Sequence, residues 1–168
     1  MSRAYVALGS NLGFPQQQIL KAFEQLEGLP LTEVVKKSSL YHSAPVGYDD
    51  QPDFINAVAE LRTKLDPEKL LSYLLAIENL HGRRRPFPNA PRQLDLDLLL
   101  YDERQMQTAD LILPHPRMHT RGFVLLPLAE IAPELNIPGL AAETGAADRT
   151  VAQLAAACGD QGVTRITP

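Results

Sequence analysis

Three features of the sequence predict an α+β fold in which an antiparallel sheet carries its two main helices on one face. Two segments, 54–65 and 94–100, alternate between inward and outward side chains with a period of two, as half-buried strands do. Two others, 15–28 and 66–82, carry apolar residues at helical spacing between clear start and stop signals. With the shorter strands they give the order strand, helix, strand, strand, helix, strand. That is the split βαβ, ferredoxin-like order, here with a C-terminal helical extension.

The apolar run 4–8, ended by Gly9, reads as a buried first strand. Gly9-Ser10-Asn11-Leu12-Gly13 reads as a turn. Pro15 opens the first helix, where its missing N–H costs nothing. Ile19, Leu20, Phe23 and Leu26 give that helix its stripe, and Gly28 closes it. Residues 32–41 read as the second strand, followed by a loop through Pro45, Gly47 and Pro52. In the third strand, 54–65, Ile55, Ala57, Ala59 and Leu61 share one face; Phe54, Asn56, Val58 and Glu60 share the other. Asp66-Pro67-Glu68 then starts a helix with a capping acid, Pro at the first position and an acid in the first turn. Its stripe is Leu70, Leu71, Leu74 and Ile77, and Gly82 stops it. A loop with three Arg and three Pro spans 83–91, and the fourth strand follows. Beyond it come a hairpin, a Pro114-His115-Pro116 loop, a short helix over 118–126, a last helix over 150–158 and a final strand over 163–166.

A chain of 168 residues is the size of one domain with a real core, expected over 1–168. The net charge of −4 argues against a general nucleic-acid binder. The lone Cys158 allows no internal disulfide, in keeping with a reducing compartment. The apolar run near the N-terminus is too short for a signal peptide, and no stretch approaches a membrane span. A cytoplasmic protein is expected, with no membrane partner.

The fourth strand carries the clearest chemical signal. Leu94, Leu96, Leu98 and Leu100 fall on one face, and Asp95, Asp97 and Leu99 on the other. The two carboxylates then sit with Cα atoms roughly 7 Å apart at ~3.4 Å per residue. Like charges that close repel unless a cation neutralises them, and Mg²⁺ is commonly held by one or two carboxylates with substrate phosphates. The other reading is an amphipathic strand showing acid to water. In a helix, to which the Leu-rich stretch is also suited, residues two apart do not face each other and the metal reading fails.

Basic groups lie close by in sequence. Arg83, Arg84, Arg85 and Arg92 crowd the loop before the strand, and Arg grips phosphate bidentately. In a net-acidic chain this points to a polyanion with its metal; the alternative is a solvated basic loop. His115 is presented by a rigid Pro-His-Pro turn, and His119 and Arg121 follow; separately each reads as a surface residue. The Gly9–Gly13 stretch lacks the ending of a Walker A motif.

Several motifs occur together in this order: Gly9-Ser10-Asn11-Leu12; Ser38-Ser39-Leu40-Tyr41; Asp50-Gln51-Pro52-Asp53-Phe54-Ile55-Asn56; Glu78 with Gly82-Arg83; Pro91-Arg92-Gln93-Leu94-Asp95-Leu96-Asp97; and a stretch from Pro114 to Phe123. In combination they closely resemble the 6-hydroxymethyl-7,8-dihydropterin pyrophosphokinases of folate biosynthesis, over residues 4 to about 136. That resemblance implies transfer of the pyrophosphoryl group of ATP to the pterin hydroxymethyl group, with AMP as the second product. It implies two Mg²⁺ ions on Asp95 and Asp97, and loop arginines Arg83 and Arg92 acting with them on the phosphates. It places Glu78, Arg85, Leu98, His115 and Arg121 at the nucleotide. The pterin would meet Ser43, Ala44, Val46, Phe54, Asn56 and Phe123, with the two Phe rings stacking on it and Asn56 at its polar edge. ATP and a pterin are then the partners, and a monomer is expected. The family often carries a Trp in the Arg loop; this chain has none, and Phe87 lies there. The competing class is a non-catalytic ferredoxin-like domain that binds a small regulatory ligand.

Overall fold

The structure, a computed structural model, describes residues 1–45, 50–82, 93–140 and 149–166. Its sheet is built from β1 (Ser2–Ser10), β2 (Thr32–Lys37), β3 (Tyr41–Ser43), β4 (Phe54–Thr63), β5 (Asp95–Tyr101) and a short last strand, β8 (Thr164–Arg165). The order is β5-β1-β4-β3-β8, with β2 pairing the other half of β4, and all pairings are antiparallel. The predicted single strand over 32–41 is therefore two strands along one neighbour. They part at Ser38, whose hydroxyl accepts the Val58 N–H at 2.9 Å.

Helices α1 (Pro15–Glu27) and α2 (Pro67–Leu80) both pack on one face, as the element order predicts. Asp66 caps α2 by accepting the Lys69 N–H at 2.8 Å. Ile19, Phe23, Leu26, Leu70, Leu74 and Ile77 meet Val6, Leu8, Ala57, Ala59, Leu96 and Leu98 in one buried cluster. Leu20, read as part of the α1 stripe, is instead 54 % exposed.

The alternation of β5 holds only to Leu98. Val6 pairs with Leu98 and Tyr5 with Leu100, so Leu99 is an extra residue in the strand. This bulge turns Leu100 to the opposite face, beside Tyr5, and returns Tyr101 to the helix side, where its hydroxyl donates to the Leu65 carbonyl at 2.6 Å. The expectation that Leu100 shares the face of Leu94, Leu96 and Leu98 is thus corrected.

The second face is not wholly open either. A small hairpin of β6 (Met106–Gln107) and β7 (Ile112–Leu113) leads through a 3₁₀ turn (Met118–Thr120) into α3 (Gly122–Ile131). With α4 (Val151–Ala157), α3 covers Tyr5, Val58, Leu99 and Leu100. Glu60 is buried there with Arg3 at 3.6 Å and the Tyr5 hydroxyl at 3.0 Å; burial, with Glu60 beside it, pushes the Tyr5 hydroxyl up to about 12. What remains uncovered is the end of the face nearest Gly9, Asn56 and Asp95.

Candidate active site

The floor of the open end follows from strand register. Asp95 on β5 pairs with Gly9 on β1, and Gly9 pairs with Asn56 on β4. One row further, Asp97 pairs with Ala7 and Ala7 with Val58. Two strand spacings separate the carboxylates from Asn56, roughly 10 Å. The middle strand contributes only Ala7 and Gly9 to this stretch, so a trough lies between the acids and the β4 side chains. A Cβ on Gly9 would come within 3.2 Å of the Asn56 Nδ2 and 3.8 Å of the Phe54 ring, so any side chain here would press on Asn56 and narrow the trough.

The trough is a cavity of about 170 Å³ whose walls include Ser43, Phe54, Asn56, Asp95, Asp97, Arg121 and Phe123. A cavity of about 150 Å³ accommodates one benzene, so a flat ring system suits this one. Phe54 and Phe123 stand at its walls, and the Ser43 hydroxyl donates to the Asn56 Oδ1 at 2.6 Å, fixing the carboxamide. The Arg121 guanidinium lies over the Phe123 ring, 5.5 Å from its centre.

A second cavity opens on the other side of Asp97. Leu71, Leu98, Asp110, Ile112 and His115 are among the residues that line it, and Asp97 is common to both cavities. His115 is set here by the free edge of β5: its N–H donates to the Leu99 carbonyl at 2.9 Å. Burial, with Arg121 and Arg117 nearby, holds its imidazole below the ordinary value against an opposing pull from Asp95. Its Nδ1 accepts the Arg117 N–H at 3.3 Å, which leaves Nε2 to carry the ring proton.

The structure thus brings together Ser43, Phe54, Asn56, Asp95, Asp97, Arg121 and Phe123 at the first cavity, and Leu98 and His115 with Asp97 at the second. Ala44 is exposed just past the end of β3 and lines neither cavity. Glu78 is 2 % exposed and sits against the edge of β5, where its Oε2 accepts the Leu96 N–H at 2.7 Å between the two Asp. Val46, Arg83, Arg84, Arg85 and Arg92 lie outside the described residues. Sequence reasoning missed Arg117 on the first cavity and Leu71 with the 109–112 strip on the second. The small residues at Ala7 and Gly9, two apart on a strand, were a legible signal for the floor.

Asp95 and Asp97 are both half-buried on one face of β5, and both line the first cavity. Among the described residues no group of three or more His, Cys, Asp or Glu could enclose a metal ion. Two carboxylates at the mouth of a cavity fit a hard cation completed by ligand and water oxygens, which is how Mg²⁺ is commonly held. No described helix is long and apolar enough to cross a membrane.

An acid pair lies between a ring-sized cavity and a second cleft on an antiparallel α+β sheet, an arrangement with room for a divalent cation and a phosphorylated ligand, as a phosphotransferase needs. The family described as 7,8-dihydro-6-hydroxymethylpterin-pyrophosphokinase (HPPK) matches residues 5–133, and the chain belongs to this family. A 2-amino-4-hydroxy-6-hydroxymethyldihydropteridine pyrophosphokinase of Pseudomonas aeruginosa is 45 % identical over 166 residues, covering 99 % of this chain and 98 % of the relative. That of Haemophilus influenzae is 48 % identical over 138 residues, covering 82 % and 86 %. Among solved structures, an HPPK-DHPS in complex with substrates superposes with a TM-score of 0.76 at 13 % identity, over 98 % of this chain. This chain spans 46 % of that protein. The likeness supports the fold alone.

Proposed function

We propose that this chain transfers the pyrophosphoryl group of ATP to the hydroxymethyl group of 6-hydroxymethyl-7,8-dihydropterin, as its family's name describes, at the two cavities that meet at Asp97. The pterin hydroxyl oxygen attacks the β-phosphorus of ATP, and its proton is released to solvent. The bond from that phosphorus to the oxygen of the α-phosphoryl group breaks, and AMP leaves. The observation that carries this reading is the shared carboxylate: one cavity suits a flat ring, the other has an apolar wall and a neutral imidazole, and the acids lie between them. Phe54 and Phe123 stack on the pterin, and Asn56, fixed by Ser43, reads its polar edge. Leu98 and His115 meet the nucleotide, with His115 Nε2–H as a donor. Arg121 stands where it can reach the phosphates, and Arg83, Arg85 and Arg92 are assigned there by the family resemblance.

Asp95 and Asp97 would hold Mg²⁺, two ions in this reading, which supplies charge neutralisation on the phosphates when bound. The protein's own share is positioning: it fixes the hydroxyl and the phosphate chain in line and keeps water from the reacting atoms. The family match and the two curated relatives above, both named as pyrophosphokinases, favour this reading over a non-catalytic ligand-binding domain. Residues 1–168 are taken to act as one domain and as a monomer in the cytoplasm. Chromatography of a turnover mixture tests the reaction: AMP should appear in step with pterin diphosphate. Stoichiometric ADP in its place would overturn the assignment.

A further inference from the structure

Residues 149–166 lie beyond the part of the chain that matches the family, yet they reach back to the cleft. The contact is Gln161. Its Oε1 accepts the Gly122 N–H at 2.9 Å, and its Nε2 donates to the Thr120 carbonyl at 3.0 Å and to the Cys158 carbonyl at 3.2 Å. The first two of these groups are the peptides on either side of Arg121. One planar carboxamide therefore holds both peptide planes about which the Arg121 backbone rotates, and φ and ψ of that residue are fixed together.

The need for such a clamp is visible in α3. Arg121 is its N-cap residue, in extended conformation, and makes no side-chain capping bond. The first N–H groups of a helix have no intrahelical partner, and Gln161 supplies one for Gly122 from far along the chain. The fit is close: a Cβ on Gly122 would stand 3.2 Å from the Gln161 Oε1. Beyond Gln161 the chain runs to the other side of the cleft, where Thr164 pairs with His42 and Arg165 with Tyr41 on β3, the strand that ends at Ser43. Arg165 also lies 3.8 Å from Glu130 of α3.

We propose that Gln161 is a positioning residue for the cleft: by pinning the peptides that flank Arg121 it sets where the Arg121 and Phe123 side chains stand. The inference rests on the reading of that cleft as the pterin site. Gln161 is exposed and touches no substrate, so its effect passes through α3.

Three full-length variants test it: Gln161→Met, which keeps the shape and loses the bonds; Arg165→Ala, which loosens the same segment away from Arg121; and Phe123→Ala. Each is titrated with hydroxymethyldihydropterin in the presence of Mg²⁺ and a non-hydrolysable ATP analogue, and each is melted. Loss of backbone bonds worth about 1 kcal/mol should weaken pterin binding in Gln161→Met by about three- to tenfold. Arg165→Ala should bind pterin as the parent does. Unchanged pterin affinity in Gln161→Met, whatever its melting point, overturns the proposal, as does equal weakening in Arg165→Ala, which would mark a general loosening of the tail. Phe123→Ala separates the two levels: if it binds pterin normally, the cleft reading itself is wrong.

Discussion

Toward α1 and α2, the strands β5, β1 and β4 present Val6, Leu8, Ala57, Ala59, Leu96 and Leu98, none more than 4 % exposed. On the opposite face the same strands present Asp95, Gly9 and Asn56 in one row, and Leu100, Tyr5 and Glu60 in another. The first face is uniform from end to end. The second is divided: α3 and α4 cover one half, and the other half is the cleft. The uniform face supplies the stability that lets two like charges, a glycine and a polar amide stand side by side on the divided one.

The largest effect expected from breaking this contrast is on turnover. Asp95→Asn or Asp97→Asn removes a charge from the divided face. Initial rates at saturating Mg-ATP should fall by about two to three orders of magnitude, the scale seen when one preorganised charge contact is lost. Both residues are half-exposed, so the melting point should move little. Near-normal, Mg²⁺-dependent rates in both variants would make this half an ordinary acidic surface.

Leu96→Ala, between the two acids but on the uniform face, should show the opposite pattern. A cavity under β5 is expected to lower unfolding free energy by about 2–5 kcal/mol. The protein that remains folded should keep its affinity for pterin. Urea melts with and without ligand read both quantities, and a variant of full stability would mean that the core does not depend on β5.

The smallest effect is on acid stability. Burial first, with Lys21 beside His81 and Arg121 and Arg117 beside His115, holds both imidazoles below their ordinary value. The folded protein therefore keeps them neutral where the unfolded chain, with histidines near 6.5, takes up protons. Their contribution is complete above about pH 6.5, and stability declines as pH falls below it, until the folded rings protonate as well. His81→Gln and His115→Gln should each flatten part of that decline in melts between about pH 4 and 7. A decline that neither variant changes would assign it to carboxylates.

The uniform face was legible in the sequence because its periods, 2 for strands and 3.6 for helices, are local. The acid pair was legible for the same reason, since Asp95 and Asp97 stand on the polar beat of that alternation. The bulge was not. From Leu98 to Tyr101 every residue is apolar, so no polar side chain marks where the phase changes. Arg117 and the 109–112 strip were missed as well, because they lie in short irregular segments with no period to read. The clamp by Gln161 had no local mark, because the two groups it holds beside Arg121 lie 39 and 41 residues away.

The bulge at Leu99 also bears on how reliably the chain finds its native pairing. β5 is so rich in leucine that its edge could pair with β1 one residue out of step and still offer a greasy surface to each side. Such a slip would turn every side chain over and drive two carboxylates into the aliphatic layer beneath α1 and α2. Burying a charge without a partner is far more costly than losing a leucine contact. The acids assigned to metal and phosphate thus also proofread the assembly of the strand that carries them, rejecting a misaligned sheet before any ligand is met.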